Sequence, residues 1–127
     1  MLYKNILLID DDRDDTDIFI EAINSLNKDI RCVAENNPIK ALENLKSSEK
    51  LPDLIFLDYN MPVINGCEFL QKMRKVQQLQ QIPVILYSTY SEAAAEQLSI
   101  TQDTEKYITK PNTFVELKAV LKDILGA

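Results

Sequence analysis

Short apolar runs recur along the chain, and between them apolar residues return at the three- and four-residue spacing of a helix with one buried face. The runs predict strands over residues 5–9, 30–34, 54–57, 84–87 and 107–109. Each is short, apolar and partly β-branched, as parallel strands covered on both faces are. The intervening patterns predict helices over 14–26, 38–47, 66–79, 91–99 and 113–125. Asn37-Pro38 reads as an N-cap followed by proline at the first helical position, and Asn112 is placed to cap the last helix. In the first helix Ile18, Phe19, Ala22, Ile23 and Leu26 share a face, and Ile20 falls about 60° outside it. Phe114 shares a face of the last helix with Leu117, Val120, Leu121, Ile124 and Leu125, whereas Val115 lies off it.

Five strands alternating with five helices specify an α/β fold: a parallel sheet with helices on both faces. Right-handed crossovers put every strand's C-terminal end on one edge, where such sheets bind ligands. The chemistry should therefore follow the strands. Asp10, Asp11 and Asp12 follow the first, Asp58 the third, Ser88 ends the fourth and Lys110 follows the fifth. A strand order of 2-1-3-4-5 makes strands 1, 3 and 4 neighbours and converges these groups.

Composition narrows the function. The chain has 127 residues, enough for one domain with its own core, and we expect that domain to span 1–127 with no output domain after it. A net charge of −6 disfavours phosphate backbones, so direct DNA binding is not expected. The apolar runs are too short to span a bilayer, and the first residues lead straight into a strand without a signal-peptide pattern. Cys32 and Cys67 lack metal-site spacing and read as reduced thiols of a cytoplasmic protein. The chain contains no histidine, which removes His-based catalysis and any phosphohistidine of its own.

Six aspartates crowd residues 10–17. Asp14, Asp15 and Asp17 are explained by the helix macrodipole, which favours acids in a first turn. Asp10 and Asp11 precede the helix, and carboxylates so crowded repel one another unless a cation neutralises them. They suit a hard divalent cation such as Mg2+. Asp58 is separated from the next helix by a loop in which Asn65 or a neighbour can serve as cap, so it has no evident structural task. A carboxylate there can act as a nucleophile and form an acyl phosphate. Ser88 and Lys110 can hold phosphoryl oxygens, although alone each also reads as a loop hydroxyl and a surface lysine.

The motifs Ile6-Leu7-Leu8-Ile9-Asp10-Asp11, Asp53-Leu54-Ile55-Phe56-Leu57-Asp58-Tyr59-Asn60-Met61-Pro62 with Asn65-Gly66, Ile82-Pro83-Val84-Ile85-Leu86-Tyr87-Ser88 and Tyr107-Ile108-Thr109-Lys110-Pro111 resemble the receiver domain of two-component response regulators over essentially the whole chain. The resemblance implies a flavodoxin-like fold and a switch rather than an enzyme. Asp58 would be the phosphoacceptor. Asp11, Asp58 and the backbone carbonyl of Asn60 would ligate Mg2+, or Mn2+ in its place, with Asp10 acting through water. Ser88 and Lys110 would hold the phosphoryl group, with the Lys110–Pro111 bond cis to aim the ammonium, and Ser88 with Tyr107 would form the switch. The implied partners are a histidine kinase or histidine phosphotransfer protein and a downstream target, with the chain a monomer or a weak, phosphorylation-dependent dimer. Ile20 is a candidate contact for the phosphodonor.

Some positions depart from the common pattern. Thr89 is larger than the usual residue and narrows access. Tyr90 is bulky and uncharged beside the route of attacking water. Residues 100–106 lack the glycine common before the last strand. Two rival functions share parts of the pattern. An aspartate-nucleophile phosphatase of the haloacid-dehalogenase type would use Asp10-Asp11-Asp12, but the better nucleophile context is Asp58. A phosphorylation-independent interaction module would not need the full set of five site residues. A flavodoxin-like cofactor binder would need a phosphate cradle where this chain carries acids.

Overall fold

The computed structural model describes residues 3–97 and 106–126. The strands are β1 (Asn5–Ile9), β2 (Arg31–Glu35), β3 (Leu54–Leu57), β4 (Val84–Ser88) and β5 (Lys106–Thr109); the helices are α1 (Arg13–Leu26), α2 (Pro38–Ser47), α3 (Gly66–Arg74), α4 (Glu92–Gln97) and α5 (Phe114–Leu125). All pairings are parallel, in the order β2-β1-β3-β4-β5. Segment 98–105 lies outside the described residues, and with it the expected end of the fourth helix at residue 99 and most of the glycine-free turn before β5.

Alternation along the strands divides the core between the two faces of the sheet. Ile9, Ile55, Leu57 and Leu86 pack with Phe69 and Met73 of α3 and Leu42 and Leu45 of α2. Leu8, Phe56 and Tyr87 pack with Phe19 and Ile23 of α1 and Leu117 and Leu121 of α5. Phe19 meets Phe56 edge to face, ring centroids 4.9 Å apart, and meets Tyr87 at 5.4 Å. Every residue of β3 is buried, as its central place requires. Asp53 ties the starts of β1 and β3 together by accepting the backbone N–H groups of Lys4 and Asn5, each at 2.9 Å.

The helix termini show which local signals governed. Asp12 caps α1 and Asn37 caps α2. Asn65 and Glu68 form a reciprocal capping box on α3. Thr113, not Asn112, caps α5, because its hydroxyl reaches the N–H of Glu116 at 3.1 Å. The expected helix over 66–79 stops at Arg74, and a 3-10 turn covers Gln77–Leu79. Val76 between them is extended, and the Arg74 guanidinium turns back to the carbonyls of Leu79, Gln80 and Ile82. Ile18 and Phe114, placed on buried faces by periodicity, are 45% and 37% exposed, while Ile20 is half-buried.

The loop from β3 to α3 holds the one non-glycine residue with positive φ among those described, Val63 at 73°. The N–H of Ile64 donates to the carbonyl of Pro62 at 2.8 Å, which closes a γ-turn around Val63. A β-branched residue is strained there, and Val63 is almost fully exposed, so little packing offsets the strain. Val63→Gly should therefore stabilise the fold by about 1 kcal/mol, read as a higher urea midpoint at unchanged slope. A lower midpoint would show that the strain is smaller than the entropy glycine adds to the unfolded chain.

Candidate functional site

The C-terminal edge of the sheet gathers the acids, the hydroxyl and the lysine. The N–H of Asp10 donates to the carbonyl of Glu35 at 3.3 Å, and that of Asp58 to the carbonyl of Ile9 at 2.9 Å, so both residues extend the strand pairing beyond the sheet. Asp10 is fully buried and Asp58 nearly so. One Asp10 oxygen accepts the Asp12 N–H at 3.0 Å. The side-chain amide of Asn36 donates to the Asp10 carbonyl at 2.8 Å and bonds the Thr16 hydroxyl at 3.3 Å. Gly66 lies under the Asp58 turn: its N–H donates to the Tyr59 carbonyl at 2.9 Å, and a Cβ on it would meet the Asp58 carbonyl oxygen at 2.7 Å. A side chain at this position would push the Asp58 loop out of place.

Lys110 enters from β5. Its N–H donates to the Ser88 carbonyl at 2.7 Å. Its ammonium bonds Asp10 at 2.8 Å and Asp15 at 2.9 Å and stands 3.8 Å from Asp58. The cis bond expected before Pro111 is absent, as no described peptide is cis. The lysine stem reaches the carboxylates from the trans form, which X–Pro bonds ordinarily prefer. Ser88 is fully buried, and its Oγ has no partner of hydrogen-bonding geometry among the described residues. Tyr107 donates its hydroxyl to the Tyr90 carbonyl at 2.6 Å, which also accepts from Thr109 at 2.9 Å. Tyr59 and Tyr90 pack edge to face at 5.8 Å, joining the loops that follow Asp58 and Ser88.

Electrostatics follow from the crowding. Burial, then the charge of Asp10, pushes the Asp58 carboxyl up to about 7. Burial also raises Asp10, against the lowering effect of its bond to Lys110. For Lys110, burial alone would lower the ammonium, but Asp10, Asp15 and Asp58 outweigh it and raise it. Asp10, Asp11 and Asp58 each offer an oxygen within 4.8 Å of the others, and Asp11 opens to solvent. One ammonium does not balance these carboxylates together with Asp15. An all-oxygen set with surplus negative charge fits a hard divalent cation.

Of the residues singled out from the sequence, Asp10, Asp11, Asp58 and Lys110 come together, and Ser88 joins them through the backbone of Lys110. Asn60 lies two residues beyond Asp58 in an exposed position, and Ile20 lies on α1. Three contributors carry no decisive signal in the sequence. In sequence Asp15 reads as a helix-dipole acid, Asn36 carries no pattern at all, and nothing around Gly66 shows why it must be small.

The family model of the response regulator receiver domain matches residues 6–122. The chain belongs to that family. The receiver is 31% identical over 121 residues to a chemotaxis protein CheY homolog of Campylobacter jejuni, covering 95% of this chain and 92% of that protein. It is 29% identical to the sensor histidine kinase CheAY of Helicobacter pylori, covering 92% of this chain but only 14% of the relative. Among solved structures, the response regulator TrrA of Thermotoga maritima, in complex with Mg2+ and beryllofluoride, superposes with a TM-score of 0.76 at 26% identity, covering 95% of this chain and 98% of that one. No helix among the described residues is long and apolar enough to cross a membrane.

The raised Asp58 gives a testable pH dependence. Between the unfolded carboxyl value near 3.8 and the folded value of about 7, the folded receiver binds more protons than the unfolded chain. In the absence of divalent cations, its stability therefore rises as pH falls through that window. Asp58→Asn lacks this proton. In EDTA it should exceed wild type in urea stability at about pH 8, with the gap shrinking toward about pH 5. A gap independent of pH would contradict the assignment.

Proposed function

We propose that Asp58 accepts a phosphoryl group from a phosphohistidine on a histidine kinase or histidine phosphotransfer protein, and that the product switches the β4–α4–β5 surface to control a downstream partner. The observation that carries this reading is the pairing of a buried, charge-stressed carboxylate with two groups suited to an anion: the Lys110 ammonium and the buried Ser88 hydroxyl, which has no partner of hydrogen-bonding geometry among the described residues. An Asp58 oxygen attacks phosphorus, an O–P bond forms, and the N–P bond of the donor breaks with its electron pair left on the imidazole. Lys110 and Ser88 then hold phosphoryl oxygens.

Asp11, Asp58 and the Asn60 carbonyl are the proposed Mg2+ ligands, with Asp10 acting through water and Mn2+ able to substitute. The ion would offset negative charge on the transferring group. TrrA's complex with Mg2+ and beryllofluoride supports this assignment. Ser88 and Tyr107 are the proposed switch pair, since a Ser88 drawn to the phosphoryl group would alter the β4–β5 surface where Tyr107 bonds Tyr90. The acidic charge favours output through protein partners rather than DNA. Ile20, half-buried on α1, remains the proposed donor contact.

Amide NMR with Mg2+, then Mg2+ plus beryllofluoride, tests the reading. Saturable shifts should appear around Asp58, spread to Ser88 and Tyr107, and vanish in Asp58→Asn. A folded wild-type protein that ignores both additions would leave the phosphorylation-independent module as the better account. The packed, uncharged Tyr90 also sets an expectation for lifetime. Tyr90→Glu should lose the acyl phosphate faster than wild type, followed by phosphate release after acetyl phosphate is removed; an equal or slower rate would count against a shielding role.

A further inference from the structure

The position of Lys110 is the least expected feature of the site. An ammonium has three N–H donors, and two are spent on Asp10 and Asp15, at 2.8 and 2.9 Å. Asp58, the group a phosphoryl-binding lysine would serve, is left at 3.8 Å, beyond hydrogen-bond reach. Asp10 is fully buried at the end of β1 and also accepts the Asp12 N–H, so its place is set by the sheet. Asp15 is different. It sits in the first turn of α1 with its side chain 38% exposed, and it is not among the three residues whose oxygens cluster for a cation.

Helix-dipole complementarity explains an acid in this turn but not its contact with Lys110 across 95 residues. Asp14 supplies the comparison: it is another acid of the same turn, exposed, with no ion pair to Lys110 among the described residues.

We propose that Asp15 is a positioning residue that holds Lys110 away from Asp58 in the resting receiver and so sets the cost of placing a phosphoryl group there. The inference rests on Asp58 being the phosphoacceptor. Phosphorylation then exchanges ion pairs: Lys110 turns from the Asp15 carboxylate to a phosphoryl oxygen, and Asp15 is released to solvent. Asp15 opposes the phosphorylated state twice, by competing for the ammonium and by repelling the added negative charge. Because its carboxylate is partly exposed, the effect is modest.

The test compares wild type with Asp15→Asn, Asp15→Glu and Asp14→Asn in two measurements: beryllofluoride affinity at saturating Mg2+, and the NMR signal of the Lys110 Cε–Nζ group without beryllofluoride. Asp15→Asn should bind beryllofluoride about two- to fivefold more tightly and shift the Lys110 signal. Asp15→Glu should bring both back toward wild type, and Asp14→Asn should leave both unchanged. Unaltered affinity in Asp15→Asn, or an equal gain in Asp14→Asn, would overturn the proposal, the latter showing that only helix-terminal charge matters. If no variant binds beryllofluoride while the Lys110 signal still moves with Asp15→Asn, the ion pair stands but the phosphoacceptor reading falls, and the regulatory role falls with it.

Discussion

The Lys110 ammonium, reaching Asp10 across 100 residues of chain, is the interaction on which this sheet edge depends. Buried carboxylates crowded into so small a volume repel one another and take up protons unless positive charge joins them. The lysine arrives because β5 ends beside β4 and the Lys110 backbone bonds to Ser88. The pair is thus a consequence of parallel strand order, and it fastens the far edge of the sheet to β1.

That one ammonium leaves the edge under-neutralised, and the shortfall falls on Asp58. Asp58 remains poorly solvated and repelled by Asp10, while the buried Ser88 hydroxyl has no partner of hydrogen-bonding geometry among the described residues. Buried polar groups in that condition cost free energy until a partner arrives. On the proposed function, a divalent cation would answer the first deficit and an anionic group on Asp58 the second. The loop that carries Asp58 is held by local contacts. Gly66 admits the Asp58 turn, Asn65 and Glu68 lock the start of α3, and the strained γ-turn at Val63 carries the chain between them.

Much of the fold was readable in advance because it depends on local rules. Short β-branched apolar runs marked all five strands to within a residue or so, and Asn37-Pro38 marked the start of α2. Errors fell at helix ends, where side chains find nearby backbone partners that periodicity does not show. The helix expected to run to residue 79 broke after Arg74, whose side chain found three carbonyls beyond it. Thr113 rather than Asn112 caps α5, its hydroxyl accepting the N–H of Glu116.

At the site, the chain's own order determined which groups exist and that they lie at strand ends: Asp10 and Asp11, Asp58, Ser88 and Lys110. Alternation of strands with helices is enough to place them on one edge, since parallel crossovers share a hand. Distances and protonation were decided only in three dimensions. Nothing in the linear pattern separates Asp15, which binds Lys110, from Asp14, which does not, because both suit the first turn of a helix equally. Nor does it reveal Asn36 behind Asp10 or the reason for Gly66. Those roles depend on which backbone passes within a few ångströms, and residues far apart in sequence settle that only when the sheet is assembled.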